Sequence, residues 1–152
     1  MLALLAEALW IERTLASEVL PELVREADSE WLADALSAHL EETRGHAQRV
    51  EAVFVAAGAE PTSAASPALE GLRKAHDLHV DSVVEPRLRD LFLCDCAART
   101  EHLEIALYTD LAGLAETIEL DVRPIVEILG EERLALDAVG QVAERLRGAL
   151  PA

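Results

Sequence analysis

The chain has 152 residues, with 29 Asp and Glu against 13 Lys and Arg, a formal net charge of −16. That length fits one domain, spanning 1–152, and a chain of this size buries roughly 68–70% of its unfolded surface, enough for a core without staples. The 51% hydrophobic content is too high for a disordered acidic tail, and the acid excess argues against nucleic acid and anionic membranes as partners.

The first element runs from about Leu2 to Ala27, with an apolar stripe of Leu2, Leu5, Leu9, Ala16, Val19 and Leu23 at helical period. Pro21 falls inside that pattern and should kink or divide the helix. The opening run Met1 to Ala6 is too short for a secretory signal and meets Glu7 and Glu12 at once. No window holds ~18 uncharged apolar residues, so no span is expected and a cytoplasmic, reduced setting is the expectation.

Asp28 or Ser29 caps a second helix, Glu30 to Ala57, which Gly58 ends as a left-handed cap. Pro61, Thr62 and Ser63 mark a loop. Ser66-Pro67 reads as an N-cap followed by proline at the first helical position, opening a shorter helix to about Val84. Pro86 starts a long fourth helix to about Ile118. It carries both cysteines, Cys94 and Cys96, which lie roughly 200° apart on a helix and form no disulfide framework. Asp121 and Pro124 open the last helix, which ends near Gly148-Ala149-Leu150-Pro151. Strand signals are nearly absent. The expected fold is all-α: a four-helix bundle of two hairpins, joined by one crossover that contains the additional short helix.

A bundle helix carries apolar residues on its inner stripe, so the informative positions are charged residues that interrupt it. Glu12 interrupts Leu5, Leu9, Ala16 and Val19. The second helix reads Leu32, Ala35, His39, Glu42, His46, Val53. The fourth reads Leu91, Cys94, Ala98, Glu101, Ile105, Tyr108, Ala112, with Glu104 on the neighbouring stripe, so Glu101 or Glu104 faces inward. The last reads Ile125, Ile128, Glu132, Leu136, Val139. Each long helix thus puts a carboxylate inside near its middle. Buried carboxylates without basic partners repel one another, and two divalent cations would neutralise them. The competing reading is that each Glu is solvated or on the rim. His39 and His46 alone would read as core or surface histidines, but their spacing around Glu42 places all three near one face. His76 and His79 read as solvated, and His102 as pointing away from the centre.

The segment His39-Leu-Glu-Glu-Thr-Arg-Gly-His46, followed by Arg49-Val-Glu-Ala-Val-Phe54, resembles the second-helix signature of the ferritin-like YciE/YciF family. Glu101-His-Leu-Glu-Ile-Ala-Leu-Tyr108 is similar to its E-H-Y-E-I-A-x-Y signature, and Leu69-Glu-Gly-Leu72 and Arg89-Asp90 to its crossover motifs. The surroundings of Glu12 and Gly130-Glu131-Glu132-Arg133 resemble its first and last helices. The resemblance covers nearly the whole chain. It implies a ferritin-like bundle, a bacterial, cytoplasmic, stress-associated protein, and a di-metal centre holding iron, or manganese or zinc. The ligand candidates it carries over are Glu12, Glu42, His46, Glu101 or Glu104, and Glu132. His46 stands where the family commonly has Gln, and Leu136 where it commonly has Asp, which removes one oxygen ligand.

Two functions follow as expectations. In the first, metal ions in the core react with dioxygen or peroxide, with Glu42 as the bridge and Tyr108 either supplying an electron or hydrogen bond or simply packing in the core. In the second, the site is degenerate and the bundle is a non-enzymatic module for dimerisation or partner binding. A homodimer is the expected assembly in both. No P-loop, dinucleotide glycine motif, zincin H-E-x-x-H or nucleophile elbow points to another enzyme class.

Overall fold

The computed structural model describes residues 1–148, and among them every regular element is helical. The first long helix is continuous but composite: α1 (Leu2–Thr14), a π-helical turn (Leu15–Val19) and α2 (Leu20–Glu26). Then come α3 (Glu30–Ala56), α4 (Pro67–His79), a 3-10 turn (Val80–Ser82), α5 (Pro86–Thr117) and α6 (Arg123–Gly148). The expected end of the last helix at residues 149–151 lies outside the described residues.

The π-turn is the local answer to Pro21. A proline inside a helix has no N–H to donate, and its ring meets the carbonyl four residues back. Just ahead of it the backbone widens, and the Leu20 N–H reaches the Leu15 carbonyl, five residues back. The helix therefore continues instead of dividing, with its register shifted. Leu15, Leu20 and Leu23 are buried, whereas Ala16 and Val19 of the expected stripe are only half-buried.

The helix ends follow the sequence in most places. Gly58 takes φ 71°, and the Gly58 and Ala59 N–H groups close on the Val55 and Phe54 carbonyls, each at 3.0 Å. Ser66 accepts from the Leu69 N–H at 3.4 Å, and Glu85 from the Leu88 N–H at 2.7 Å. The start of α3 differs. Ser29 is its N-cap but makes no side-chain cap bond. Instead the buried Asp90 of α5 accepts from the backbone N–H groups of Asp28 (2.9 Å) and Ser29 (2.8 Å).

That contact fixes the topology. α3 and α5 both begin at the Asp28–Asp90 end. At the other end Met1, Leu2, Ala57, Ile118 and Glu119 line one shallow depression. The crossover 57–85 therefore runs the length of the bundle, and α3 and α5 point the same way. Around the bundle α1 packs on α3, α3 on α6, α6 on α5 and α5 on α1, leaving α3 and α5 diagonal. This is a four-helix bundle with one long crossover. Apolar side chains fill the core on both sides of the helix midpoints: Leu5, Val53, Phe54, Leu111 and Ile128 toward one end, Leu20, Leu32, Leu36, Leu93 and Val139 toward the other.

Candidate metal centre

Between those apolar layers lie the charged residues. Glu12 of α1, His46 of α3 and Glu132 of α6 are fully buried, as nearly are Glu101 and Glu104 of α5 and His39 of α3. Their placement follows from helical period. Glu12 continues Leu5 and Leu9, and Glu132 continues Ile125 and Ile128. On α5 the sequence left Glu101 and Glu104 as alternatives, but both face inward, because this helix buries a face wide enough for positions 100, 101, 104, 107 and 108.

The inward placement expected for Glu42 is corrected by the structure. The inner face of α3 is His39, Thr43, His46, Val50 and Val53, while the Glu42 side chain is 49% exposed. Its carboxylate lies 3.7 Å from His39 Nδ1 and belongs to neither group of converging ligand atoms. The cause is geometric. On a helix, positions 42 and 43 lie about 50° to either side of the line joining 39 and 46. The packing of α1 and α6 decides between them, and Thr43 is the one enclosed, its hydroxyl donating to the His39 carbonyl at 2.9 Å.

The buried groups form two clusters: His39, Glu101, Glu104 and Glu132, and Glu12, His46 and Glu132, each with its ligand atoms within 4.8 Å of one another. Glu132 belongs to both. His39 Nε2 stands 3.2 Å from Glu101 and 3.7 Å from Glu132. His46 Nδ1 stands 2.7 Å from Glu132 and 3.4 Å from Glu12. The two imidazoles sit edge to face, ring centres 6.3 Å apart. Tyr108, also buried, donates its hydroxyl to Glu12.

Polar atoms this deep are normally hydrogen-bonded. Here Glu12 Oε2, Glu101 Oε2 and both oxygens of Glu104 and of Glu132 have no hydrogen-bond partner, nor do His39 Nδ1 and His46 Nδ1. His46 Nδ1 is close to Glu132, but off the line a hydrogen bond requires. Burial lifts the Glu104 carboxyl well above its usual range, and the charges of Glu132, Glu12 and Glu101 add to it. Burial also lifts Glu12 and Glu132, against the opposing pull of His46. Burial pulls the histidines down, but the close negative charge of the surrounding carboxylates wins. His39 is raised to about 9, chiefly by Glu101, and His46 to about 10, by Glu12 and Glu132. The Tyr108 hydroxyl is raised well above its usual value by burial and by Glu12.

This donor set fits divalent cations. It is carboxylate and imidazole, the mixture that suits Fe(II), Mn(II) and Zn(II), with neither cysteine in the clusters. Glu12, Glu101, Glu104 and Glu132 carry four negative charges when ionised, which two divalent ions balance while both histidines stay neutral. Of the candidates read from the sequence, the structure gathers Glu12, His46, Glu101, Glu104 and Glu132 and leaves Glu42 at the edge. Leu136 is half-buried in a groove between α5 and α6 beside Cys94 and His102, outside the clusters.

Sequence reasoning kept His39 out of the ligand set, although its seven-residue spacing from His46 was the available signal. It also missed Glu131, which lies next to a candidate and whose Oε2 is 2.8 Å from His46 Nε2, held there by Arg49. Of the histidines read as solvated, His79 is exposed but His76 is buried. It pairs with Glu26 at 2.9 Å and stacks on Phe92. His102 is exposed, as expected.

Residues 2–149 match the family described as a domain of unknown function, DUF892. The chain is 34% identical over 116 residues to protein YciF of Escherichia coli K12, covering 76% of this chain and 69% of that one. The crystal structure of the E. coli stress protein YciF superposes with a TM-score of 0.92 at 29% identity, over 98% of this chain and 95% of that one. YcfI, described as a putative structural protein from Rhodopseudomonas palustris, superposes with a TM-score of 0.87 at 29% identity, over 90% and 88% of the two chains. With the bundle topology and the motifs on α3 and α5, these matches place the chain in the DUF892 family, that of the YciE/YciF proteins.

Proposed function

We propose that the protein is a ferritin-like metal-binding protein whose core holds two divalent cations, iron first among them, and that the loaded centre reacts with dioxygen or peroxide in a bacterial stress response. The observation that carries this reading is Glu132, a buried carboxylate shared by two ligand clusters and without a hydrogen-bond partner for either oxygen. It would contribute to holding both ions, the role that the sequence suggested for Glu42. Iron at such a site supplies one-electron chemistry toward oxygen species. The chain's own residues hold and enclose it. His39, Glu101 and Glu104 would hold one ion and Glu12 and His46 the other, while Tyr108 fixes Glu12 by a hydrogen bond from a phenol that stays protonated. Glu12, His46 and Glu132 are wholly buried, which shields the site from bulk solvent.

The second reading is a non-enzymatic module in which the core serves only stability and the bundle works through dimerisation or partner binding. The same complete burial favours it, as does the description of the R. palustris relative as a structural protein. Metal analysis of the purified protein, then anaerobic Fe(II) titration with oxygen-uptake measurement, separates them. Binding near two equivalents followed by oxygen consumption supports the first. Binding without oxygen or peroxide consumption supports the second. Absence of uptake of Fe(II), Mn(II) and Zn(II) would overturn the metal-binding reading.

A further inference from the structure

Beyond the two clusters stands a pair of residues that no ligand assignment includes. Glu131 of α6 and Arg49 of α3 lie where the centre meets the surface, their side chains 34% and 28% exposed. Arg49 grips both carboxylate oxygens of Glu131, with Nη1 at 3.1 Å from Oε1 and Nη2 on Oε2. The same Oε2 is 2.8 Å from His46 Nε2.

An ionised carboxylate only accepts, so the imidazole nitrogen facing it must be the one that carries hydrogen. The Arg49 guanidinium, on both Glu131 oxygens, supplies the balancing positive charge. A neutral His46 then has its lone pair on Nδ1. That atom points at Glu132 (2.7 Å) and Glu12 (3.4 Å), which are themselves acceptors. Three lone pairs converge on one small space, and a cation is what reconciles them. His39 has no such arrangement. Its Nε2 faces the carboxylates, and its Nδ1 makes no hydrogen bond, with Glu42 at 3.7 Å. The two histidines therefore address the centre through opposite ring nitrogens, and only one of them is locked from outside.

We propose that the Arg49–Glu131 pair is a positioning device that fixes the Nε2–H tautomer and ring angle of His46, so that His46 Nδ1 is the ligand atom of the Glu12–His46–Glu132 half-site. This rests on the metal-binding reading above. Such outer partners commonly account for 10–100-fold in metal affinity. The pair acts on one half-site, because among the described residues His39 Nδ1 has only Glu42 nearby, at 3.7 Å and not hydrogen-bonded.

The test uses the full chain, with Co(II) for affinity by absorption titration and Zn(II) for imidazole nitrogen NMR. In the wild type, two equivalents bind, and loaded His46 shows a protonated Nε2 and a metal-bound Nδ1. Glu131→Ala should weaken one equivalent by 10–100-fold, leave the other within about threefold, and blur the tautomer of His46. Glu131→Gln keeps a carbonyl acceptor and should restore most of the affinity and the Nε2–H signal. Arg49→Met leaves Glu131 in place and should give an intermediate loss. A role confined to stability would instead lower the melting temperature of every metal-free variant and leave the tautomer unchanged. If wild type binds two equivalents and Glu131→Ala binds them as tightly with the same His46 tautomer, the positioning role is wrong and the centre stands. If wild type binds no metal, both fall together.

Discussion

At the scale of single residues, the centre sets burial against charge. Glu104 is the extreme case, with both oxygens buried and unpartnered and its carboxyl raised well above the ordinary range. A buried charged group without a partner costs folding free energy, and replacing buried ion pairs by well-packed apolar residues of similar volume is often neutral or stabilising by about 1–4 kcal/mol. Glu104→Gln should therefore raise the stability of the chelator-treated protein by roughly 1–3 kcal/mol in urea unfolding, while weakening metal uptake at the His39 half-site. A loss of stability in the metal-free protein would show that the carboxylate is satisfied in some other way. Glu42→Ala, which an inward Glu42 would have made decisive, should leave urea stability nearly unchanged because that side chain is half exposed.

The histidines add a pH dependence. Their metal-free values are raised from 6.5 to about 9 and about 10, so at neutral pH both are protonated and an incoming metal must displace those protons. Affinity should therefore climb steadily from pH 6 to pH 8, with protons released on binding, as measured by chelator competition in weakly buffered solution. An affinity independent of pH over that range would mean the histidines are not ligands.

At the scale of elements, two helix ends depart from what local sequence would supply. The N-terminus of α3 is served from a distance by Asp90, so Asp90→Ala should cost about 1–2 kcal/mol in urea unfolding, in line with losing a cap, and Asp90→Asn less. The C-terminus of α5 uses the same closing motif as Gly58, but with Glu119 at φ 56°, where the Glu119 and Leu120 N–H groups reach the Glu116 and Ala115 carbonyls. A side chain in that left-handed conformation costs about 1–2 kcal/mol. Glu119→Gly removes that penalty at some expense in unfolded-chain entropy, and should raise the urea midpoint by the equivalent of about 0.5–1 kcal/mol.

At the scale of the whole molecule, cation binding and folding are one equilibrium. A ligand that binds only the folded state at 100 times its Kd stabilises it by about 2.7 kcal/mol, which for a chain of this length is a rise in melting temperature of roughly 5–10 °C. Calorimetry with Mn(II) or Zn(II), and reversal by chelator, measures this directly. An unchanged melting temperature with all tested ions would count against the centre. The net charge of −16 enters here as well. Most of those acids are on the surface, where they keep the molecule soluble.

How much was legible in the sequence varies with how local each feature is. Helix number, the Gly58 and Ser66 caps, the crossover and the inward positions of Glu12, Glu132 and His46 follow from period and capping chemistry, which neighbouring residues impose on one another. Four features were not legible, and all but the π-turn, a local response to Pro21, depended on long-range contacts. Whether 42 or 43 faces inward on α3 turns on a rotation of about 50° that period alone leaves balanced. That Glu101 and Glu104 both enter follows from the width of the face α5 buries. The π-turn before Pro21 shifts the register of α2. His39, Asp90 and the Arg49–Glu131 pair acquire their roles only from side chains far away in the chain. Sequence alone determined that a helical bundle would carry acids into its core, because helical period aligns residues within one helix. The packing of helices against one another decided which acids meet, which carboxylate is shared and which histidine nitrogen faces them, because those distances depend on the relative rotation of four separate helices.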